Sequence, residues 1–271
     1  MANVADLPID PPRRRRRRFK KFLAWCIHAY TMLGLVAAAG MAVLIVRGGA
    51  DSFRWAFVLM LVATLIDATD GTLARAIRIK EVLPGFDGRR LDDLVDFLTY
   101  TFLPLFLLWR ADIPAGWTGV LLVPLLASAY GFCQVSIKTD DGYFLGFPSY
   151  WNLVAFYLYV LQPLPIWFSV GLLVTFALLT FVPTRYLYPN QRGRLNRVTN
   201  LLAIAWTGLL VWILVVLPDE SDSKTRLLAI LSLFFPVYYF VASWVISVRL
   251  WRRRRAAARS APPIEALRRA R

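Results

Sequence analysis

Long apolar runs separated by short polar connectors constrain the fold of this chain more than any other feature. A transmembrane helix needs about 20 mostly apolar residues, and such runs recur along nearly all of the 271 residues. The hydrophobic fraction of 58% also exceeds the roughly 45 to 50% expected of a soluble domain. We therefore expect an all-α, polytopic membrane protein. Its eight transmembrane helices are predicted near residues 22–46, 55–75, 91–109, 117–137, 149–162, 165–184, 198–217 and 226–250.

The distribution of Lys and Arg predicts the orientation, because cytoplasmic loops hold the excess of positive charge. With eight spans and both termini in the cytoplasm, 27 of the 32 basic residues lie on the cytoplasmic side. An odd number of spans would place a basic terminus outside. The five basic residues left for the opposite side are Arg47, Arg54, Arg110, Lys224 and Arg226.

Three segments follow from this pattern: a basic cytoplasmic segment 1–21, a transmembrane domain 22–250 and a basic cytoplasmic tail 251–271. The run Arg13–Arg18, with Lys20 and Lys21, is interpreted as an anchor for anionic lipid head groups, at about 1 kcal/mol per cation near the surface. The net charge of +15 does not indicate nucleic-acid binding, since the cations lack interleaved aromatic residues for base stacking. No small-residue cleavage site follows the first basic run, so we do not expect a signal peptide.

The two cysteines and the single histidine do not indicate a reactive or metal-binding site. Cys26 and Cys133 both fall in apolar spans, where neither a disulfide framework nor a thiolate metal site is indicated. His28 is the single histidine and is interpreted as a hydrogen-bonded packing residue. The reactive groups must therefore be sought among the carboxylates.

Four aspartates near two predicted helix ends form the main candidate site. Charged side chains in membrane spans are costly and point to function. Asp67 and Asp70 lie on the second span, and Asp92 and Asp96 lie on the third. Residues three or four apart share one face of a helix, so an antiparallel pair of helices could bring all four carboxylates together near the cytoplasmic surface. Asp93 lies about 100° around the helix from Asp92 and is expected outside the cluster.

Carboxylates this close would repel one another and raise each other's pKa values without a compensating charge. Two divalent cations would balance four aspartates. Oxygen ligands without Cys or His suit Mg²⁺ or Mn²⁺ better than zinc. The cluster therefore predicts a site for two divalent ions.

The residues around the aspartates resemble a known motif. The spacing Asp-x2-Asp-Gly-x2-Ala-Arg followed by Gly-x3-Asp-x3-Asp is similar to that of the CDP-alcohol phosphatidyltransferase family, and it implies that family's fold and activity. In this sequence it comprises Asp67, Asp70, Gly71, Ala74, Arg75, Gly88, Asp92 and Asp96.

The resemblance implies a role for each matched position. The first three aspartates would bind the metal pair, and Asp96 would also act as the base for the acceptor hydroxyl. Gly71, Ala74, Arg75 and Gly88 would contact the CDP moiety of the donor. The small residues are equally compatible with close helix packing, which is common in membranes. Residues 22–250 would then form the catalytic domain.

The twelve residues between Arg75 and Gly88 exceed the gap of eight or nine usual in the family. Gly85 would fit that gap better, but Arg89 stands four residues after it, so Gly88 is the better match. This long gap, the eight spans and the segments 146–152 and 183–189 resemble the bacterial phosphatidylcholine synthase branch. That resemblance implies an inner-membrane enzyme that uses CDP-diacylglycerol, choline and Mn²⁺ or Mg²⁺. It also implies that the chain can form a homodimer.

The acceptor is the part of this prediction that admits alternatives. Choline carries a permanent cation without an N–H donor, so aromatic faces are expected around it. The candidates are Tyr150, Trp151, Asn152 and Tyr186, which could equally be interfacial residues. A serine or inositol-type acceptor is the alternative within the family, although the segment 139–152 offers aromatics and no Lys or Arg for an inositol phosphate.

A cation or proton transporter is the alternative outside the family, since intramembrane carboxylates also line ion paths. Transporter sites usually lie near the bilayer midplane, often between repeated halves. This sequence shows no internal repeat, and its acidic cluster lies at a cytoplasmic edge. Tyr100, Trp109 and Trp117 are interpreted as packing or interfacial residues.

Overall fold

The first two helices form a long antiparallel hairpin. The computed structural model describes residues 11–134, 144–186, 194–216 and 223–260. Within them, α1 (Pro11–Arg47) and α2 (Ala50–Ala76) are joined by Gly48 and Gly49, both at positive φ. Only glycine adopts this backbone conformation without steric cost. The hairpin therefore turns within two residues, and α1 packs along α2.

The remaining elements follow in chain order. They are α3 (Ile79–Val82), α4 (Gly88–Asp96), a π-helical segment (Phe97–Phe102), α5 (Leu103–Arg110), a 3₁₀ turn (Thr118–Leu121), α6 (Leu122–Phe132), β1 (Phe144–Leu145), α7 (Trp151–Val160), α8 (Ile166–Leu179), β2 (Arg185–Tyr186), α9 (Arg194–Val216), α10 (Ser223–Ser232) and α11 (Phe234–Ser260). Residues 88–110 are helical without a break, since the π-helical segment directly joins α4 to α5.

Among the described residues, four helices are long and apolar enough to cross a membrane, which indicates a membrane protein: Arg15–Arg47, Ala50–Ala76, Arg197–Val216 and Ser223–Arg252. The shorter apolar helices are Thr118–Phe132, Trp151–Val160 and Ile166–Leu179. Together with residues 88–110, these segments overlap all eight predicted spans. That all eight segments cross the bilayer stays a prediction.

Two helices extend beyond the predicted spans into the predicted terminal segments. Helix α1 begins at Pro11, so the exposed cations Arg15–Arg18 lie on the same helix as the first apolar run. Helix α11 continues to Ser260, into the predicted C-terminal tail. Residues 1–10 and 261–271, which complete the predicted terminal segments, lie outside the described part of the chain. A polar or basic sequence does not end a helix, because Arg and Lys are themselves good helix formers.

The chain forms two compact units. The first runs to Thr118 and includes Tyr150–Tyr159, and the second comprises Gly119–Ser149 and the chain from Val160 onward. In the first unit α1 also packs on α4, where Gly34 lies against the side chain of Val95. A Cβ at position 34 would overlap the Val95 methyl group. The small residue thus lets α1 approach α4 closely, as in other membrane helix pairs.

In the second unit α6 packs against α8, and β1 pairs with β2 in antiparallel fashion. Phe144 is opposite Tyr186 in this two-residue ladder. The all-α prediction is therefore correct for the helices but omitted this strand pair. Helix α8 ends at Leu179, and the acceptor candidate Tyr186 lies in β2.

Candidate active site between α2 and α4

Three of the predicted aspartates meet where α2 and α4 face each other. One carboxylate oxygen from each of Asp67, Asp70 and Asp92 lies within 4.8 Å of the others. Asp67 and Asp70 share a face of α2 because they are three residues apart. Asp87 starts α4 by accepting hydrogen bonds from the backbone N–H groups of the two residues that follow Gly88, at 3.1 and 3.3 Å. This N-cap fixes the helix one turn before Asp92.

The donor set fits a hard divalent cation. Asp70 is buried, and Asp67 and Asp92 are half-buried, so their negative charges are only partly screened by water. Carboxylate oxygens are the ligands that Mg²⁺ prefers, and Mn²⁺ accepts the same set. The cluster can therefore bind a metal ion through these three aspartates.

Asp96 and Asp93 occupy different surroundings. Asp96 is half-buried at the end of α4, one turn beyond Asp92, and it does not belong to the close group of three carboxylates. Its predicted roles as fourth ligand and base stay predictions. Asp93 forms an ion pair with Arg89, with 4.0 Å between Nε and Oδ2. That pairing directs Asp93 along the outside of α4.

Tyr100 belongs to the site, although sequence analysis interpreted it as a packing or interfacial residue. It is buried in the π-helical segment, and its hydroxyl donates a hydrogen bond of 2.8 Å to Oδ2 of Asp67. Such π-helical turns occur frequently at functional sites. The sequence signal for this role was that Tyr100 lies four residues after Asp96, a spacing that places two residues on one face of a helix. Trp109 and Trp117, by contrast, are exposed, as expected of interfacial residues.

Helix α1 supplies a second hydrogen bond that sequence analysis missed. The buried hydroxyl of Thr31 donates to Oδ2 of Asp70 at 2.7 Å. A polar residue three positions after His28, on the same face of an otherwise apolar helix, was the only sequence signal. The bond connects α1 to the carboxylate cluster.

His28 packs directly against the second glycine of the motif. Its ring is 4% exposed and lies 4.5 Å from the ring of Phe86 and 6.0 Å from that of Trp25, between centroids. A Cβ at position 88 would overlap Cε1 of His28. Close packing of the imidazole is therefore sufficient to explain why position 88 is a glycine, and this explanation needs no bound ligand. The packing interpretation of His28 agrees with these contacts, but Nε2 makes no hydrogen bond within the described residues.

The other small residues near the cluster lie along α2. The Arg75 guanidinium folds back beside Gly71, 3.2 Å from the position of a Cβ there, and donates to the Thr72 hydroxyl at 3.0 Å. Arg75 is exposed and Ala74 is half-buried. This face can be approached from outside the helix, and contact of these residues with CDP stays a prediction.

The residues predicted for the acceptor divide between the two units. Tyr150 is half-buried, and its ring centroid lies 6.4 Å from that of Tyr100. Trp151 and Asn152 are buried at the start of α7. Tyr186 is buried in the second unit, where it contacts the rings of two residues of α11, Tyr239 and Phe240. Residues 139–143 of the predicted acceptor segment, and 187–189 of the second resemblance segment, lie outside the described residues.

Comparison with known proteins agrees with this geometry. Residues 28–140, which contain all the motif positions, match the family model of the CDP-alcohol phosphatidyltransferases. A phosphatidylcholine synthase of Pseudomonas aeruginosa is 33% identical over 241 residues, which cover 86% of this chain and 92% of that protein. A phosphatidylcholine synthase of Legionella pneumophila is 37% identical over 201 residues, covering 72% and 76%. The chain belongs to the CDP-alcohol phosphatidyltransferase family, in its phosphatidylcholine synthase branch.

Membership of the CDP-alcohol phosphatidyltransferases makes the chain a membrane-bound phosphatidyltransferase of phospholipid biosynthesis. The family's use of divalent metals agrees with the oxygen donors of Asp67, Asp70 and Asp92. The relatives extend over most of the chain, so the likeness includes the residues beyond the family-model match.

The packing of His28 on Gly88 predicts how this phosphatidyltransferase responds to a single methyl group. Gly88→Ala should lower activity at least several-fold and destabilise the protein by about 1 to 3 kcal/mol, because overpacking displaces neighbouring groups. Gly85→Ala is the matched control, since a Cβ there meets nothing within 4 Å. CMP release and thermal unfolding in detergent measure both effects. Equal behaviour of the two variants would contradict this explanation, whereas His28→Ala should restore part of the stability of Gly88→Ala.

Proposed function

We propose that the protein transfers the phosphatidyl group of CDP-diacylglycerol to choline and releases CMP. The observation that carries this proposal is the meeting of Asp67, Asp70 and Asp92 oxygens within 4.8 Å at facing helices. The relatives named phosphatidylcholine synthase support choline as the acceptor. In the balanced reaction the choline oxygen forms a bond to the phosphatidyl phosphorus. The bond from that phosphorus to the CMP oxygen breaks, and CMP leaves with the electron pair.

Four aspartates would hold two divalent ions, Mn²⁺ or Mg²⁺, with Asp96 completing the set formed by Asp67, Asp70 and Asp92. The ions would supply positive charge that binds the diphosphate and stabilises the leaving CMP. The protein's own contribution is orientation: Tyr100 and Thr31 each donate to one carboxylate of the set. These bonds limit carboxylate rotation, so that the remaining oxygen lone pairs point in defined directions.

Asp96 would accept the proton of the choline hydroxyl as that oxygen attacks. A positioned carboxylate makes this transfer easier during attack than before it, because a free alkoxide is too unstable at neutral pH. Its place one turn beyond Asp92 on α4 puts it close to the carboxylate cluster but outside the group of three. That separation is compatible with a second task in addition to metal binding.

The donor nucleotide would approach the cluster along the exposed face of α2. Gly71 and Ala74 leave room there, and the exposed Arg75 can turn from Thr72 towards a phosphate oxygen. Gly88 would leave space for CDP, and it would also allow His28 to pack closely against the start of α4. The acyl chains would remain in the lipid.

The choline cation would lie against aromatic faces at the start of α7. Tyr150 is the most accessible of the four predicted residues, since Trp151, Asn152 and Tyr186 are buried. A desolvated cation–π contact contributes about 2 kcal/mol. Trp151, which follows Tyr150 and begins α7, would then support the site from the protein interior. A part for Tyr186 in choline binding stays a prediction.

The enzyme would cross the bacterial inner membrane eight times, with both termini and the active site in the cytoplasm. The basic segment 1–21 and the basic tail 251–271 would flank the catalytic domain 22–250. The exposed cations Arg15–Arg18 on α1 would bind anionic lipids. Assembly as a homodimer is part of the same proposal.

The metal-binding role predicts the behaviour of conservative amide variants. Asp67→Asn, Asp70→Asn, Asp92→Asn and Asp96→Asn should each lower CMP release by at least about 100-fold, because a neutral amide cannot balance a divalent charge. Asp93→Asn is the control and should lose much less, since Asp93 pairs with Arg89. The assay uses purified protein, CDP-diacylglycerol, choline and saturating Mn²⁺. Near-parental turnover in one of the four would remove that residue from the site, and CMP release that does not depend on choline would refute the acceptor.

The choline site predicts a selective change in KM. Tyr150→Leu should raise the KM for choline several-fold, up to roughly thirty-fold if the full 2 kcal/mol is lost, and leave the KM for CDP-diacylglycerol nearly unchanged. Trp109→Leu replaces an exposed aromatic residue of α5 and serves as the control. An unchanged choline KM in Tyr150→Leu would place the choline pocket elsewhere.

The eight-span topology predicts the location of two reporter fusions. A fusion after Arg271 should report the cytoplasm, and one inserted within 219–223 should report the opposite side, because the charge distribution places both termini inside. Arg271 and residues 217–222 lie outside the described residues, so the charge count is the basis of this expectation. The same location for both reporters would exclude eight spans.

A further inference from the structure

Two hydroxyl groups from different helices each donate to one oxygen of an α2 carboxylate. Thr31 of α1 donates to Oδ2 of Asp70 at 2.7 Å. Tyr100 of the π-helical segment donates to Oδ2 of Asp67 at 2.8 Å. All four residues belong to the first unit. One oxygen of each of these two carboxylates is therefore engaged by a hydroxyl of the protein itself.

The proton of Thr31 is directed to the carboxylate instead of to its own helix. A hydroxyl has one proton to donate, and the acceptors within reach are Oδ2 of Asp70 at 2.7 Å and the Ile27 carbonyl at 3.3 Å. The shorter contact has the length of a charge-assisted bond to an ionised carboxylate. Thr31 is 6% exposed and Asp70 is 5% exposed, so water competes little for this bond.

The way in which a carboxylate binds an ion depends on which divalent ion it is. Ca²⁺ takes about six to eight oxygen ligands, and a carboxylate can bind it through both oxygens. Mg²⁺ is smaller, needs near-ideal octahedral geometry and keeps several of its waters, and Mn²⁺ also accepts octahedral oxygen sites. A hydroxyl proton held against one carboxylate oxygen carries positive charge and opposes a cation at that oxygen. The bonds to Asp67 and Asp70 therefore disfavour two-oxygen binding.

We propose that the hydroxyls of Thr31 and Tyr100 restrict Asp70 and Asp67 to binding through one oxygen each, and so select Mg²⁺ or Mn²⁺ over Ca²⁺. Both hydroxyls act through an aspartate, which makes Thr31 and Tyr100 positioning residues. Hydrogen bonds to metal-binding groups typically contribute about 10- to 100-fold in metal affinity. This inference rests on the proposed function only in taking the two aspartates as ion ligands.

The residue next to Thr31 provides a matched bond for comparison. Tyr30 of α1 forms a hydrogen bond of 2.8 Å with Thr69, the residue next to Asp70 on α2. The Thr69 hydroxyl donates to carbonyls of its own helix at 2.9 Å, so the Tyr30 hydroxyl is the donor between the helices. The two bonds thus join the same pair of helices at neighbouring positions, and only the bond from Thr31 ends at a carboxylate.

Mn²⁺ binding to the purified full-length protein in detergent, followed by electron paramagnetic resonance and by displacement with Ca²⁺, tests this selection without an activity readout. Thr31→Val keeps the shape of the side chain and should lower the preference for Mn²⁺ over Ca²⁺ about ten-fold, because Asp70 can then offer both oxygens. Tyr100→Phe should do the same through Asp67. Thr31→Ser and Tyr30→Phe are the controls and should keep the parental preference. A parental preference in Thr31→Val or Tyr100→Phe, or an equal loss in Tyr30→Phe, would overturn the inference.

Asp70→Asn separates failure of this inference from failure of the proposed function. If Asp70→Asn binds Mn²⁺ as tightly as the parent protein, Asp70 is not an ion ligand and the metal site of the proposed function is wrong. If Asp70→Asn loses affinity while Thr31→Val keeps the parental preference, the metal site stands and selection by the hydroxyls is refuted. Thermal unfolding identifies any variant that fails to fold, and Tyr100→Phe provides the same test if Thr31→Val is one of them.

Discussion

Mutual repulsion among three carboxylates is the constraint on which the rest of the first unit depends. Asp67, Asp70 and Asp92 place oxygens within 4.8 Å of one another in a partly buried setting. Such a group costs free energy in the absence of cations, since like charges disfavour ionisation and burial removes water. This free-energy cost favours a role as a candidate ion site over a purely structural role. The hydrogen bonds from Thr31 and Tyr100 are the stabilising contacts that the protein itself provides.

Helix α1 contributes more to this site than an anchoring helix would need to. It donates to Asp70 through Thr31, fills the space above Gly88 with His28, and meets Val95 at Gly34. These contacts lie on one side of α1 and are spaced at three-residue intervals, as expected for one helical face. A single apolar helix thus positions both helices that carry the carboxylates. The glycines of α1 and α4 permit the short distances that this requires.

The motif spacing and the three-dimensional contacts explain different residues. Asp67, Asp70 and Asp92 could be grouped from the sequence because helical periodicity places residues three or four apart on one face. The bonds of Tyr100 and Thr31 could not be found in this way, because their partners Asp67 and Asp70 lie on another helix, 33 and 39 residues away in the sequence. The π-helical segment likewise could not be predicted from a pattern that assumes 3.6 residues per turn. Asp96 was grouped with the other aspartates by spacing alone, and it lies outside their close group.

The sequence alone determined that the chain is helical, that it is apolar enough for a membrane and where its main helices lie, and it predicted which aspartates form the candidate site. Hydropathy and helical period are local properties, so they can be read without a structure. Tertiary structure alone decided that Thr31 and Tyr100 donate to the carboxylates, that His28 fills the space at Gly88, and that β1 pairs with β2. These contacts join residues distant in the chain, and their geometry depends on how whole helices pack, which no local pattern encodes.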